Sequence, residues 1–149
     1  MKRYLRAATF LTAAALGLAA CASSQAAATQ AAVQDYNGLV SALQSNGVVV
    51  EENGQINQPM LNVTGQQITL DGAPVQVYEY ASDSVRSEAS GLISPDGYLI
   101  DKTAVDWAGQ PTMWAHGKLL VILIGNYPTA QESLTAVLGE PFIPAQPME

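Results

Sequence analysis

Along this chain the period of the hydrophobic positions changes several times, and each change marks a boundary. Residues 7–20 form an uncharged, mostly apolar run of 14 residues behind Lys2, Arg3 and Arg6. Residues 22–34 lose the pattern and contain small and polar side chains without charge. From Asp35 onward, Tyr36, Leu39, Val40 and Leu43 recur at helical spacing, with Asp35 placed to cap a helix and Gly47 to stop it. Val48-Val49-Val50 then opens a β-rich stretch containing Asn53-Gly54 and, further on, Asp71-Gly72. Both pairs favour the positive φ of tight hairpin turns, so this half reads as antiparallel sheet.

Ser82-Asp83 can cap a second, short helix carrying Val85, Ala89 and Leu92, with Gly91 near its end. Ser94-Pro95-Asp96-Gly97 has turn chemistry, and Tyr98-Leu99-Ile100 reads as a strand. Residues 119–124 are apolar without alternation, as expected of an interior strand covered on both faces. His116-Gly117 separates them from residues 111–115, which predicts another hairpin. Thr129 and Glu132 have the spacing of a capping box ahead of Leu134, Val137 and Leu138, and Gly139 and Pro141 end that helix. The order of helix, strands, helix, strands, helix predicts an α+β fold. Its expected architecture is two-layer: an antiparallel β-sheet with about three helices packed mainly on one face. The predicted domain covers residues 35–142, with a Pro-rich tail at 143–149.

Composition agrees with one folded domain. The chain has 149 residues, 48% of them hydrophobic and 13% charged, which is too apolar and too weakly charged for a disordered class. Three of its six basic residues lie before residue 7. Arg86, Lys102 and Lys118 therefore face all 13 acidic residues, a side-chain balance of −10 beyond the apolar run. Such a domain repels phosphate backbones, so nucleic acid is not an expected partner.

The N-terminus has a basic start and an apolar run shorter than the roughly 20 residues of a membrane span. The run ends at Leu18-Ala19-Ala20-Cys21. This resembles the lipobox of bacterial lipoproteins, with Leu at −3, small residues at −2 and −1, and Cys at +1. The resemblance implies that residues 1–20 are a signal peptide and that Cys21 becomes the lipidated first residue, its thiol carrying a diacylglyceryl group and its amine a fatty acid such as palmitate. Each buried methylene adds about 0.8 kcal/mol of membrane affinity, so two or three chains make a lasting anchor. Residues 21–34 would then be the tether of an extracytoplasmic protein, at the outer membrane if the host has two, although the alanines could let its distal part join the first helix. Cys21 is the sole cysteine, so no intrachain disulfide is available.

A second resemblance rests on Leu39-Val40, Leu43, Gly47 and Val50-Glu51, on residues 75–80, on Trp107 with Pro111, on residues 117–121, and on Leu134, Leu138 and Gly139. Together these are similar to a group of small bacterial lipoproteins. They are core, turn and cap positions, so the likeness speaks to fold and identifies no active site.

Candidate chemistry is sparse. His116 is the single histidine and the first choice for a general base, but Trp114 and Lys118 beside it supply no orienting carboxylate, and His116-Gly117 suits an exposed turn. No metal set or cofactor motif is expected. Asp96, Asp101 and Asp106 recur every five residues, a spacing that does not match a calcium loop and that reads as solvated turns and strand ends. There is no Gly-x-Ser-x-Gly elbow, Ser-x-x-Lys pair or glycine-rich phosphate loop. The aromatics are more suggestive. Tyr78 and Tyr80 share a strand face, Trp107 and Trp114 bracket a Gly109-Gln110-Pro111 bend, and Tyr98 and Tyr127 sit at element edges. Trp107 reads as structural, whereas Tyr78, Tyr80 and Trp114 are the candidates for a ligand or partner surface. The leading expectation is a non-enzymatic, membrane-anchored domain that binds an envelope protein or another envelope component. A carboxylate-dependent hydrolase acting on envelope polymers and a small-ligand sensory domain are the alternatives.

Overall fold

A computed structural model describes residues 19–145. Residues 1–18, including Leu18 of the lipobox, and residues 146–149 of the tail lie outside the described residues.

Helix α1 (Ala19–Ala32) leads into α2 (Tyr36–Ser45) through a three-residue bend. Asp35 caps α2 as its sequence predicts, its Oδ1 accepting from the Gly38 N–H at 2.9 Å. The long strand β1 (Val50–Asn57) follows, then a single 3₁₀ turn (Pro59–Leu61) and the strands β2 (Thr64–Leu70) and β3 (Ala73–Glu79). Helix α3 (Asp83–Gly91), capped by Ser82, precedes the two-residue strands β4 (Leu99–Ile100) and β5 (Thr103–Ala104). The chain closes with β6 (Pro111–His116), β7 (Leu119–Ile124) and α4 (Pro128–Leu138).

The five long strands pair antiparallel in the order β1-β2-β3-β7-β6, and β4 and β5 form a separate small hairpin. The α+β class follows directly. Residues Leu119, Val121 and Leu123 of β7 point to one face and Leu120 and Ile122 to the other, which is why that strand shows no polar alternation. On one face α2 and α4 bury Leu39, Leu43, Leu134 and Val137 against Ile68, Val75, Val77 and Val121. The opposite face is covered by irregular chain: Leu61 of the 3₁₀ turn, Ile93, Ile100, Val105 and Trp107 pack on Tyr78, Tyr80, Met113, Leu120 and Ile122. We call these the helical face and the loop face.

The structure departs from the sequence pattern at several places. Asn53-Gly54 does not make a hairpin; it sits inside β1 as a bulge between Glu52 and Gln55, with Gly54 at φ +92°. The same conformational freedom that makes Asn-Gly a turn former lets one strand carry an extra residue. The real reversal between β1 and β2 is the 3₁₀ turn, closed by Asn62 in the left-handed region. The expected capping box at Thr129 does not form either. Helix α4 starts two residues earlier, with Tyr127 at the N-cap and Pro128 at the first helical position, where proline's missing N–H costs nothing. The α3 stripe is not buried: Val85 is 43% and Leu92 47% exposed, and only Ala89 packs inward.

Ordered structure continues on both sides of residues 35–142. The stretch read as a tether, residues 21–34, is helical over Ala19–Ala32, and Val33 is fully buried in the helical-face core. Eight of the 14 residues in α1 are alanine, the best helix former, so the segment needs only a docking surface to stay helical. At the other end, Ile143 belongs to the core rather than to a free tail. It is 3% exposed, and its carbonyl accepts from Met113 N–H at 2.9 Å, while Phe142 N–H donates back to Met113 O. That pairing covers part of the β6 edge. The β1 edge is protected by its bulge and by the exposed Glu51 and Glu52.

Candidate functional site

Five contacts gather at the end of the molecule where β6 turns into β7. Gly117, at φ +51°, and Lys118 make the two-residue turn there. The Lys118 N–H donates to Gln34 O at 3.2 Å, and the Lys118 ammonium meets Glu79 Oε1 at 3.0 Å. The other Glu79 oxygen accepts from the Tyr36 N–H at 3.1 Å. Arg86 Nε donates to Gly117 O at 3.0 Å, and His116 Nε2 lies 2.7 Å from Gln30 O. The hairpin is thus a clamp on the α1–α2 junction. It uses Arg86, His116 and Lys118, and each is spent on structure. The Lys118–Glu79 pair is more than a third exposed, so its worth is that of a surface ion pair, about 0–1 kcal/mol.

His116 therefore sits against a backbone carbonyl, with no carboxylate bonded to its ring. The three regularly spaced aspartates do not converge. Asp96 closes its own turn, accepting from Ser94 Oγ and from Tyr98 N–H at 3.1 Å, and those bonds lower its pKa, the Ser94 bond most. Asp101, at φ +46°, forms with Lys102, at φ +64°, the tight turn between β4 and β5. Asp106 is exposed beyond that hairpin. Among the described residues no three His, Cys, Asp or Glu side chains are grouped to hold a metal ion.

The aromatic candidates separate. Tyr78 and Tyr80 share the loop face, as their spacing predicts, but they are 0% and 3% exposed. Trp114 is fully buried on the helical face, with the sheet between it and the tyrosines. The three cannot line one pocket or one surface; they are core. Burial pushes the Tyr80 phenol up to about 12 from its ordinary 10.0, and burial followed by the neighbouring Tyr80 pushes Tyr78 further in the same direction. Tyr80 donates to Leu61 O at 3.2 Å and Tyr78 to Gln76 Oε1 at 2.7 Å. Trp107, read as structural, is 9% exposed, and its indole N–H donates to Gly97 O at 2.8 Å.

The exposed apolar side chains lie elsewhere. Leu92 and Leu99 flank the Ile93–Ile100 bridge; the two isoleucines point into the core while the leucines are 47% and 41% exposed. Tyr98 beside Leu99 is 41% exposed, and Val85, two helical turns before Leu92, is 43% exposed. Asp83, Glu88, Asp96 and Asp101 stand among these residues in sequence, and all are exposed or partly so. The pattern alone gave Val85, Ala89 and Leu92 as the apolar positions of a short helix without deciding their burial. The signal for exposure was the density of polar residues in α3, which leaves too narrow a stripe to bury.

A cleft of about 680 Å³ separates α1 from α2, lined by small and uncharged residues such as Ala28, Thr29, Ala32, Ser41 and Ala42. It contains no acid, base or aromatic ring. No family model, curated protein or solved structure matches the chain.

Proposed function

We propose that this chain is a lipid-anchored cell-envelope protein whose folded part is a non-enzymatic interaction domain. The anchor half of the reading rests on the basic start, apolar run and Leu18-Ala19-Ala20-Cys21 motif, with Cys21 as the acylated residue. The interaction half rests on one observation: Val85, Leu92, Tyr98 and Leu99 stay exposed while Ile93, Ile100 and Val105 beside them are buried in the core. Exposed leucines scattered singly need no explanation, but here two flank one bridge and two more adjoin them. The acids among them favour an envelope protein presenting an apolar surface with basic residues around it. Among the described residues no helix is long and apolar enough to cross a membrane, so membrane attachment in this reading comes from lipid.

The test is the paired substitution Leu92→Asp and Leu99→Asp in the acylated protein. These are exposed positions, so the folded state is expected to hold within about 0.5 kcal/mol per change. A partner cross-linked in intact envelopes to the unaltered protein is expected to be lost from the variant and retained by Gln55→Asp, an exposed change on β1 away from the patch. A partner captured equally by all three refutes this surface. For the anchor, Cys21→Ser is expected to abolish fatty-acid incorporation and membrane fractionation; persistence of both refutes it.

A further inference from the structure

The segment between the anchor and the domain has a direction as well as a length. Helices α1 and α2 form a hairpin whose closed end is at Ala32 and Gly38, where a Cβ on Gly38 would lie 3.1 Å from Ala32 O. At the open end, Gln25 of α1 and Ser45 and Asn46 of α2 line the same cleft. The closed end is held by the clamp: Gln30 O by His116, Gln34 O by Lys118 N–H, and Val33 in the core. A Cβ on Gly117 would lie 3.0 Å from Gln34 O, so the turn fits against the junction without spare room. Cys21 is one helical turn before Gln25, about 6 Å further out at 1.5 Å per residue.

The end of the domain beside that open mouth can be named. Helix α2 runs out at Asn46, Val49 N–H reaches Asp71 Oδ1 at 3.3 Å, and Asp71 N–H returns to Val49 O. Asp71, Tyr127 and Pro128 line one small hollow, which brings the start of α4 to the same end. Two large apolar side chains are exposed there, Val49 at 60% and Tyr127 at 39%.

We infer that α1 is a docked arm, not a loose tether, and that it presents the Val49, Asp71-Gly72 and Tyr127 end of the domain to the lipid bilayer in which Cys21 is anchored. The inference rests on the lipid-anchor reading. A flexible 14-residue linker would let the domain tumble and expose every surface to the bilayer in turn. A helix pinned at its far end fixes which surface faces the lipid. It also sends the clamp end, where α3 and the apolar patch begin, away from the membrane. Val49 and Tyr127 suit an interface with uncharged headgroups, Tyr127 because an aromatic with a polar tip is favoured at that depth. The acidic domain gains nothing from anionic lipid.

The experiment uses the acylated chain in phosphatidylcholine vesicles containing nitroxide-labelled lipid. Acylation blocks the Cys21 thiol, so a fluorophore attaches only at an introduced cysteine: Val49→Cys, Tyr127→Cys or Ser84→Cys. Quenching several-fold stronger at 49 and 127 than at 84 is expected, and an Ala28→Pro change, which breaks the arm, is expected to erase the difference. Equal quenching at all three sites in the unbroken chain overturns the inference. Hydrogen exchange of amides 28–34, measured without vesicles, checks the docking alone: protection supports the arm, and exchange at unfolded-chain rates overturns it. A chain that takes up no fatty acid at Cys21 instead sinks the anchor reading, and exchange still decides the docking.

Discussion

The two faces of the sheet are both sealed, but by different physics. On the helical face, α2 and α4 satisfy most of their backbone groups internally, so aliphatic packing does most of the sealing and side-chain hydrogen bonds, such as Glu79 with the Tyr36 N–H, gather at the α1–α2 junction. Trp114 shows this most plainly. Its indole N–H is buried without an acceptor, the one such side-chain atom among the described residues, and the surrounding packing tolerates that cost. On the loop face the cover is irregular chain, whose free backbone carbonyls must be paired if they are buried. There the aromatic side chains donate: Tyr80 to Leu61 O and Trp107 to Gly97 O. Tyr80 and Trp107 therefore fasten the loop face, and that requirement explains why Tyr80 is core rather than a binding surface, while Tyr78 bonds Gln76 on its own strand.

This comparison can be broken in three ways. The largest effect is expected on the helical face. Leu134→Ala removes a fully buried side chain from a rigid interface and should cost about 2–5 kcal/mol in urea unfolding. A cost well below that would mean α4 collapses onto the sheet, and the helical face would not be the stiffer one.

Next comes Gly65→Ala on the loop face. A Cβ at Gly65 would sit 2.6 Å from the Tyr78 ring, which lies over the glycine, so overpacking of about 1–3 kcal/mol is expected. The cost should shrink when Tyr78 is also replaced by Ala, and a double-mutant cycle measures the difference. Purely additive effects would show that the ring does not depend on the glycine.

Smallest is Tyr80→Phe, which leaves Leu61 O unpaired and should cost about 1 kcal/mol at neutral pH, with faster amide exchange around the 3₁₀ turn. Its signature is in alkali. Because burial raises the Tyr80 pKa from 10.0 to about 12, the folded state holds that proton more tightly than the unfolded one. The associated stability is complete below pH 10 and is lost as pH rises through about 12. Denaturant midpoints measured from pH 9 to 12 should fall more steeply in the unaltered protein than in Tyr80→Phe, and parallel curves would refute the fastening role.

Local signals were legible wherever a residue's own backbone chemistry decided the outcome. Asp35 and Ser82 cap their helices, Asp71-Gly72 takes positive φ at both positions, and Gly117 turns β6 into β7. The apolar run of β7 announced an interior strand. The same kind of signal failed where two structures share one conformation: the positive φ of Gly54 serves a bulge as well as a hairpin, and only pairing with β2 over Val50–Asn57 chose between them. Candidate sites fared worse. An aromatic residue is equally suited to a core and to an interface, so Tyr78, Tyr80 and Trp114 could not be assigned without knowing which face each strand side meets. The exposure of Leu92 was not legible from its spacing, since it completes a stripe that α3 is too polar to bury.

By itself the sequence determined the α+β class, the interior position of β7, two helix caps and the lipobox-like segment around Cys21, because periodicity, capping and turn preferences act over a few residues. Only the tertiary structure decided that the segment after Cys21 docks as a helix, that Ile143 pairs with Met113, and that the aromatic candidates are core while Val85, Leu92, Tyr98 and Leu99 are exposed. Those outcomes depend on contacts between residues distant in the chain. The alanines of α1 permit a helix, but Gln30 and Gln34 are held only because the hairpin at Gly117 arrives beside them.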